Sequence, residues 1–84
     1  MHVEFLGIPR ERAGVQEVEI DAATLGQALT TLAARFPALR ELITAGGLHG
    51  SVAASLNGDR FVTDPSTSLE AGDHLLLLSA DAGG

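Results

Sequence analysis

The chain is 84 residues long, 45% hydrophobic and formally charged −6, with five Arg, no Lys and eleven acidic residues. That length makes one small domain, and the acidic balance argues against a nucleic-acid partner, because phosphate backbones repel such a surface. With no Cys, disulfides, thiolate metal sites and cysteine catalysis are excluded together. No apolar run approaches the roughly 18 residues of a membrane span. The opening Met1-His2-Val3-Glu4 lacks the basic region and apolar run of a signal peptide, so a cytoplasmic protein is expected. The negative charge suits a partner with a basic docking surface; it also serves solubility alone.

In chain order, His2 to Ile8 reads as a strand, with Val3 and Phe5 on one face and Glu4 on the other. Pro9 to Gly14 reads as a polar turn closed by glycine. Val15 to Ile20 alternates again, and two strands so close in sequence predict an antiparallel hairpin. Leu25, Ala28, Leu29, Leu32, Ala33 and Phe36 then form one apolar stripe at helical spacing. Thr24 caps its start, Gln27 completes a capping box, and Pro37 stops it. Ala38 to Ala45 reads as a short second helix ended by Gly46-Gly47.

Period two returns from Ser51 to Leu56, followed by the turn dipeptide Asn57-Gly58. Arg60-Phe61-Val62 is a short strand, Thr63 to Ser68 a polar loop, and Ala71-Gly72-Asp73 a tight turn. Leu75 to Leu78 make an unbroken apolar run inside a last strand, His74 to Ser79, covered on both faces. The order strand, strand, helix, then two or three strands predicts an α+β fold. Its mixed four- to five-stranded sheet packs on one main helix, with the first and last strands adjacent and parallel. That is the β-grasp (ubiquitin-like) arrangement. Residues 1–80 form the domain, and 81–84 a flexible C-terminal tail.

Conventional catalytic groups are scarce. His2, His49 and His74 are far apart in sequence and lack metal-ligand spacing, so no metal site is expected. The serines lie in no Gly-x-Ser-x-Gly elbow, and no glycine-rich phosphate loop with Lys exists. The chain is therefore expected to act as a co-substrate or subunit without catalysis of its own. What stands out is the ending Ala82-Gly83-Gly84, a carboxylate with no side chain near it. Read blandly, it is a frayed chain end. Read chemically, it is an arm that can be activated: without Lys or Cys, the chain offers an acyl group no strong side-chain nucleophile.

Taken together, Val3-Glu4-Phe5-Leu6-Gly7, Arg10 to Gly14, Thr24-Leu25-Gly26-Gln27-Ala28-Leu29, Phe36-Pro37-Ala38-Leu39, Leu56-Asn57-Gly58, Leu69-Glu70-Ala71-Gly72-Asp73 and Gly83-Gly84 follow one another as they do in the MoaD/ThiS family of ubiquitin-like sulfur carriers. The chain resembles that family from end to end. The resemblance implies a partner adenylating enzyme of the MoeB/ThiF type that uses ATP and magnesium to form an acyl-adenylate at Gly84, with no cofactor bound by the carrier itself. A sulfur donor then leaves a thiocarboxylate, which delivers sulfur inside an acceptor enzyme. The length of the Ala38 to Gly50 segment favours a MoaD-like carrier, the small subunit of molybdopterin synthase, whose partner would be the large subunit. Ser79-Ala80-Asp81 stands where MoaD-type tails often carry Pro-Pro and an apolar residue, which leaves room for a carrier serving thiamine, cysteine, tRNA thiolation or another thio-metabolite. A protein modifier ending in an isopeptide bond, and a plain binding module with an incidental tail, are the other readings. Leu6, Phe61, Leu76 and Leu78 are the expected docking residues on the sheet, with Asp81 and Ala82 as tail contacts and Gly83 and Gly84 as the reactive end.

Overall fold

The computed structural model describes residues 1–44 and 47–80. The first strand, β1 (His2–Phe5), buries Val3 and Phe5 completely and turns His2 and Glu4 outward. The segment expected to be a polar turn is instead a helix, α1 (Ile8–Ala13). Pro9 sits in its first turn, where the missing N–H has no partner to lose, and Arg10, Glu11, Arg12 and Ala13 all favour helix. Gly14, at φ +76°, ends it by donating its N–H to the Arg10 carbonyl. The next strand, β2 (Glu17–Glu19), is shorter than the alternation suggested and leaves Val15 exposed. It still pairs antiparallel with β1, so the connection is a helix where a hairpin turn was expected.

Helix α2 (Leu25–Arg35) buries Leu25, Ala28, Leu29 and Leu32. Thr24 Oγ1 accepts the Gln27 N–H at 3.2 Å, as expected. The return bond goes from the Ala23 N–H to Gln27 Oε1 at 3.0 Å, one residue earlier than in the standard box. Replacing Thr24 by Ala should lower the unfolding free energy by about 1 kcal/mol; a urea midpoint equal to that of the unaltered protein would show that the cap contributes nothing. Phe36 closes the helix and packs edge-on against Phe5, with ring centroids 5.8 Å apart.

The predicted second α-helix is a 3₁₀ segment, Pro37–Glu41. Its bonds run three residues back, from the Leu39 N–H to Phe36 and from the Leu42 N–H to Leu39. Ile43 and Thr44 are β-branched and leave the helix for β3 (Ile43–Thr44), which pairs antiparallel with β4 (Gly47–Leu48). Gly47 is thus a strand residue rather than a helix stop; Ala45 and Gly46 lie outside the described residues.

The remaining strands follow the sequence closely. In β5 (Val52–Leu56), Val52, Ala54 and Leu56 face the core. Asn57 and Gly58 turn the chain at φ +55° and +72°, the left-handed pair that a tight hairpin requires, into β6 (Arg60–Phe61). Within β7 (His74–Ser79), Leu75 and Leu77 are buried and Leu76 and Leu78 half-buried. The main sheet runs β2-β1-β7-β5-β6, with β7 parallel to β1 and antiparallel to β5. The core is the single layer between this sheet and α2.

The foot of β7 is tied to the β5–β6 turn. Asp73 accepts from the Asn57 side-chain amide at 3.0 Å and from the Glu70 N–H at 2.8 Å, and the His74 N–H donates to Asn57 Oδ1 at 2.9 Å. These bonds, Asn57 foremost, hold the Asp73 carboxyl below its usual range. A depressed carboxyl stabilises the fold fully above its ordinary value of 3.8 and loses that contribution as pH falls through the lowered one. Asp73→Ala should therefore melt below the unaltered protein at pH 7, and the gap should close towards strong acid. A gap that stays constant from neutral to acid would refute the ionised tie.

Candidate functional site

The site begins where β7 ends. Ser79 is 8% exposed, and its Oγ accepts the Ile8 N–H at 2.7 Å. That bond satisfies one of the free N–H groups at the start of α1. The Leu6 N–H donates to the Leu77 carbonyl at 2.9 Å, and the Ala80 N–H to the Ser51 carbonyl at 2.8 Å. The chain is thus held on both sides through Ala80: by the β1–α1 corner and by the residue before β5. A cleft of about 250 Å³ adjoins this root, lined by Ile8, Arg12, Glu41, Leu42, His49 and Ser51. Across it Arg12 pairs with Glu41 at 2.6 Å. Asp81, Ala82, Gly83 and Gly84 lie outside the described residues.

The outward face of the sheet holds the other predicted site residues. Strict alternation puts Leu76 and Leu78 outside because Leu75 and Leu77 are the buried pair. Leu76 registers with Ser55, and Ser55 with Phe61, so Phe61 falls on the same row and is 69% exposed. Leu6 follows the buried Phe5 and is 40% exposed.

Two histidines that are far apart in sequence meet on this face. His2 and His74 begin neighbouring parallel strands in direct register, with ring centroids 4.8 Å apart. His2 Nδ1 donates to Glu19 at 2.7 Å, its Nε2 lies 3.4 Å from Glu17, and His74 Nε2 lies 3.1 Å from Glu4. The bond to Glu19, with Glu17 nearby, holds the His2 imidazole above its ordinary pKa. The sequence pattern predicted β1 and β7 side by side but did not set their register, and the register is what brings the two rings together. The pair's one signal was that each strand opens on a histidine. Among the described residues no group of three or more His, Asp or Glu is arranged to hold a metal ion, and no helix is long and apolar enough to cross a membrane.

This geometry, a mixed sheet packed on the main helix α2 with the last strand central, is shared with known proteins. The model of the ThiS family matches residues 3–84. The chain belongs to the ThiS family. Among solved structures, SAMP1 from Haloferax volcanii superposes with a TM-score of 0.81 at 28% identity, over 99% of this chain and 97% of that one. A chain of the Amycolatopsis orientalis BexX/CysO complex gives 0.80 at 26%, over 99% and 98%. CysO from Mycobacterium tuberculosis, an antigen, gives 0.78 at 26%, over 94% and 97%. No curated protein is similar enough to the chain to count as a match. This ThiS-family chain thus has the ubiquitin-like β-grasp fold expected from its sequence and belongs with the small ubiquitin-like sulfur carriers.

Proposed function

We propose that this chain carries sulfur on the carboxylate of Gly84 and catalyses nothing by itself. The carrying observation is the clamp at Ser79 and Ala80, which holds the chain fast up to the residue that precedes 81–84. In this reading a ThiF-like adenylating enzyme binds the domain and threads the tail into its nucleotide site. A Gly84 carboxylate oxygen attacks the α-phosphorus of magnesium-bound ATP, the bond to the β-phosphate breaks, and pyrophosphate leaves. Hydrosulfide then attacks the acyl carbon, AMP departs with the oxygen, a proton is released, and a thiocarboxylate remains. Glycine at both last positions leaves the carbonyl open and lets the arm take any backbone conformation.

The fold also keeps the activated tail from its own chain. The sequence has no Lys and no Cys, and the Met1 amine donates to the Ile20 carbonyl at 2.6 Å beside the opposite end of β7. A six-residue strand separates the two ends of β7, roughly 20 Å at about 3.3 Å per residue. Four extended residues span at most about 14 Å, so the acyl group does not reach that amine.

For the pathway we favour molybdopterin synthesis, with the chain as the small subunit of the synthase. The support is the long helix-to-strand segment, here the 3₁₀ turn and the β3–β4 pair inserted between α2 and β5. The Ser79-Ala80-Asp81 sequence before the glycines supports the alternative, a carrier for another thio-metabolite. A second reading, a protein modifier, is favoured by the likeness to small archaeal modifier protein 1. Incubation with the adenylating enzyme, ATP and magnesium, with and without sulfide, separates the two. A thiocarboxylate product supports the carrier, whereas isopeptide-linked ladders on a denaturing gel, formed without sulfide, would replace it with the modifier.

A further inference from the structure

Asn57 is the chain's one asparagine, and a glycine follows it. That dipeptide is chemically labile in water. Glycine has no side chain to hinder the approach of its nitrogen to the asparagine carboxamide carbon. Once the Gly58 N–H has given its proton to hydroxide, the nitrogen attacks that carbon, the bond to the side-chain nitrogen breaks, and ammonia leaves. The five-membered imide that remains takes up water at either carbonyl and opens to aspartate or isoaspartate. Both residues of the turn are exposed, so hydroxide and water reach them.

The fold acts against this reaction. Leu56, at the end of β5, stands opposite Leu75 of β7. Asn57 extends that ladder by one step with its side chain. Its N–H donates to the His74 carbonyl at 2.8 Å. Its Oδ1 accepts the His74 N–H at 2.9 Å, in place of the main-chain carbonyl of a regular ladder. Its Nδ2 donates to Asp73 Oδ1 at 3.0 Å, and Asp73 is itself fixed by the Glu70 N–H. Both polar atoms of the carboxamide are thus bonded to the foot of β7. Any rotation that brings its carbon to the Gly58 nitrogen breaks those bonds. The His74 N–H on its own would polarise the carbonyl for attack. The Asp73 carboxylate opposes this, because the attacking nitrogen and the oxygen it loads both carry negative charge.

We propose that Asn57 is a latent modification site: the tie to Asp73 and His74 keeps its amide intact, and opening the tie lets it convert to aspartate or isoaspartate with release of ammonia. Either product keeps the tie from closing again. Aspartate at position 57 has no N–H to give Asp73 and sets a second carboxylate across the 3.0 Å now spanned by a hydrogen bond. Isoaspartate also adds a carbon to the main chain inside the turn, which shifts β6 from its pairing of Arg60 with Leu56 and Phe61 with Ser55. The inference stands on this turn alone and holds whether or not the chain carries sulfur.

The test follows loss of the amide at pH 8, by intact mass and peptide mapping, in the whole chain and in a synthetic peptide spanning Ser55 to Val62. The folded chain should convert at least about 10-fold more slowly than the peptide. Asp73→Ala, shown to be folded by circular dichroism, should convert faster than the unaltered chain. Asp73→Asn, which keeps the size of the side chain, serves if Asp73→Ala does not fold. Melting reads the consequence of conversion. Asn57→Asp should melt at least about 4 °C lower at pH 8. The swapped pair Asn57→Asp, Asp73→Asn rebuilds the bond with donor and acceptor exchanged and should recover most of that loss. Equal conversion rates in the folded chain and the peptide would overturn the proposal, as would a folded Asp73 variant that converts no faster. An unchanged melting temperature for Asn57→Asp, or a loss that the swapped pair does not relieve, would overturn it as well.

Discussion

Gly84→Val should fold and melt like the unaltered protein and yet fail to be activated, with carrier-dependent pyrophosphate exchange into ATP down by at least about 100-fold. The two expectations follow from one arrangement. Ala80 is held by its N–H bond to Ser51, and the described core is complete from Met1 to Leu77, so the fold is expected to stand without position 84. At the reacting centre, by contrast, a branched β-carbon crowds the carboxylate that must approach a phosphorus in line, and a displacement on the order of 1 Å is enough to produce a loss of that size. Gly84→Ala should fall between, since its single methyl blocks less of the approach. Exchange by Gly84→Val at the normal rate would place the activated group elsewhere.

Among the described glycines, Gly7 should tolerate an added methyl least. Gly7 has φ +65° and ψ −131°, a conformation close to glycine-only territory. A β-carbon built there would lie 2.2 Å from Ser79 Oγ and 3.1 Å from Ser79 Cβ. The backbone strain is worth about 1–3 kcal/mol. Pushing Ser79 aside also breaks its bond to the Ile8 N–H, leaving a partly buried donor unpaired at about 1–3 kcal/mol more. At about 4–8 °C per kcal/mol for a domain of this size, the melting temperature should fall by at least about 8 °C. Ser79→Ala makes room for the new methyl. The double variant Gly7→Ala, Ser79→Ala should therefore be more stable than the sum of the single losses predicts. Simple additivity, or a loss below about 2 °C for Gly7→Ala, would show that Gly7 and Ser79 are not packed as described. In the carrier reading, the same variant would also loosen the residues just before the last four, coupling domain stability to activation at Gly84.

The parts of this fold that were legible in the sequence are those where burial imposes a period. Val3 and Phe5, the α2 stripe and Val52, Ala54 and Leu56 each repeat at the spacing of their element and point into one core. The Asn57-Gly58 turn was legible because few other residue pairs tolerate its backbone. The short elements were not. The six residues of α1 bury only Pro9 fully and show no stripe, so Pro and Gly read as turn signals although they mark the two ends of a helix. The 3₁₀ segment and the β3–β4 pair are set by contacts with α2 and α1 rather than by their own pattern. At the site, alternation placed Leu76 and Leu78 outward, and the Gly-Gly end was visible directly. The Gly7–Ser79 contact and the His2–His74 pair were not, because the expected adjacency of the first and last strands does not by itself fix which of their residues meet.

Intact mass decides whether Gly84 carries sulfur. The chain is incubated with its adenylating enzyme, ATP, magnesium and sulfide, and weighed beside a chain lacking Gly83 and Gly84. A carrier gains the difference of one oxygen exchanged for one sulfur in the full chain and shows no change in the shortened one. An unchanged mass for the full chain, with the enzyme active on another carrier, would contradict the carrier reading.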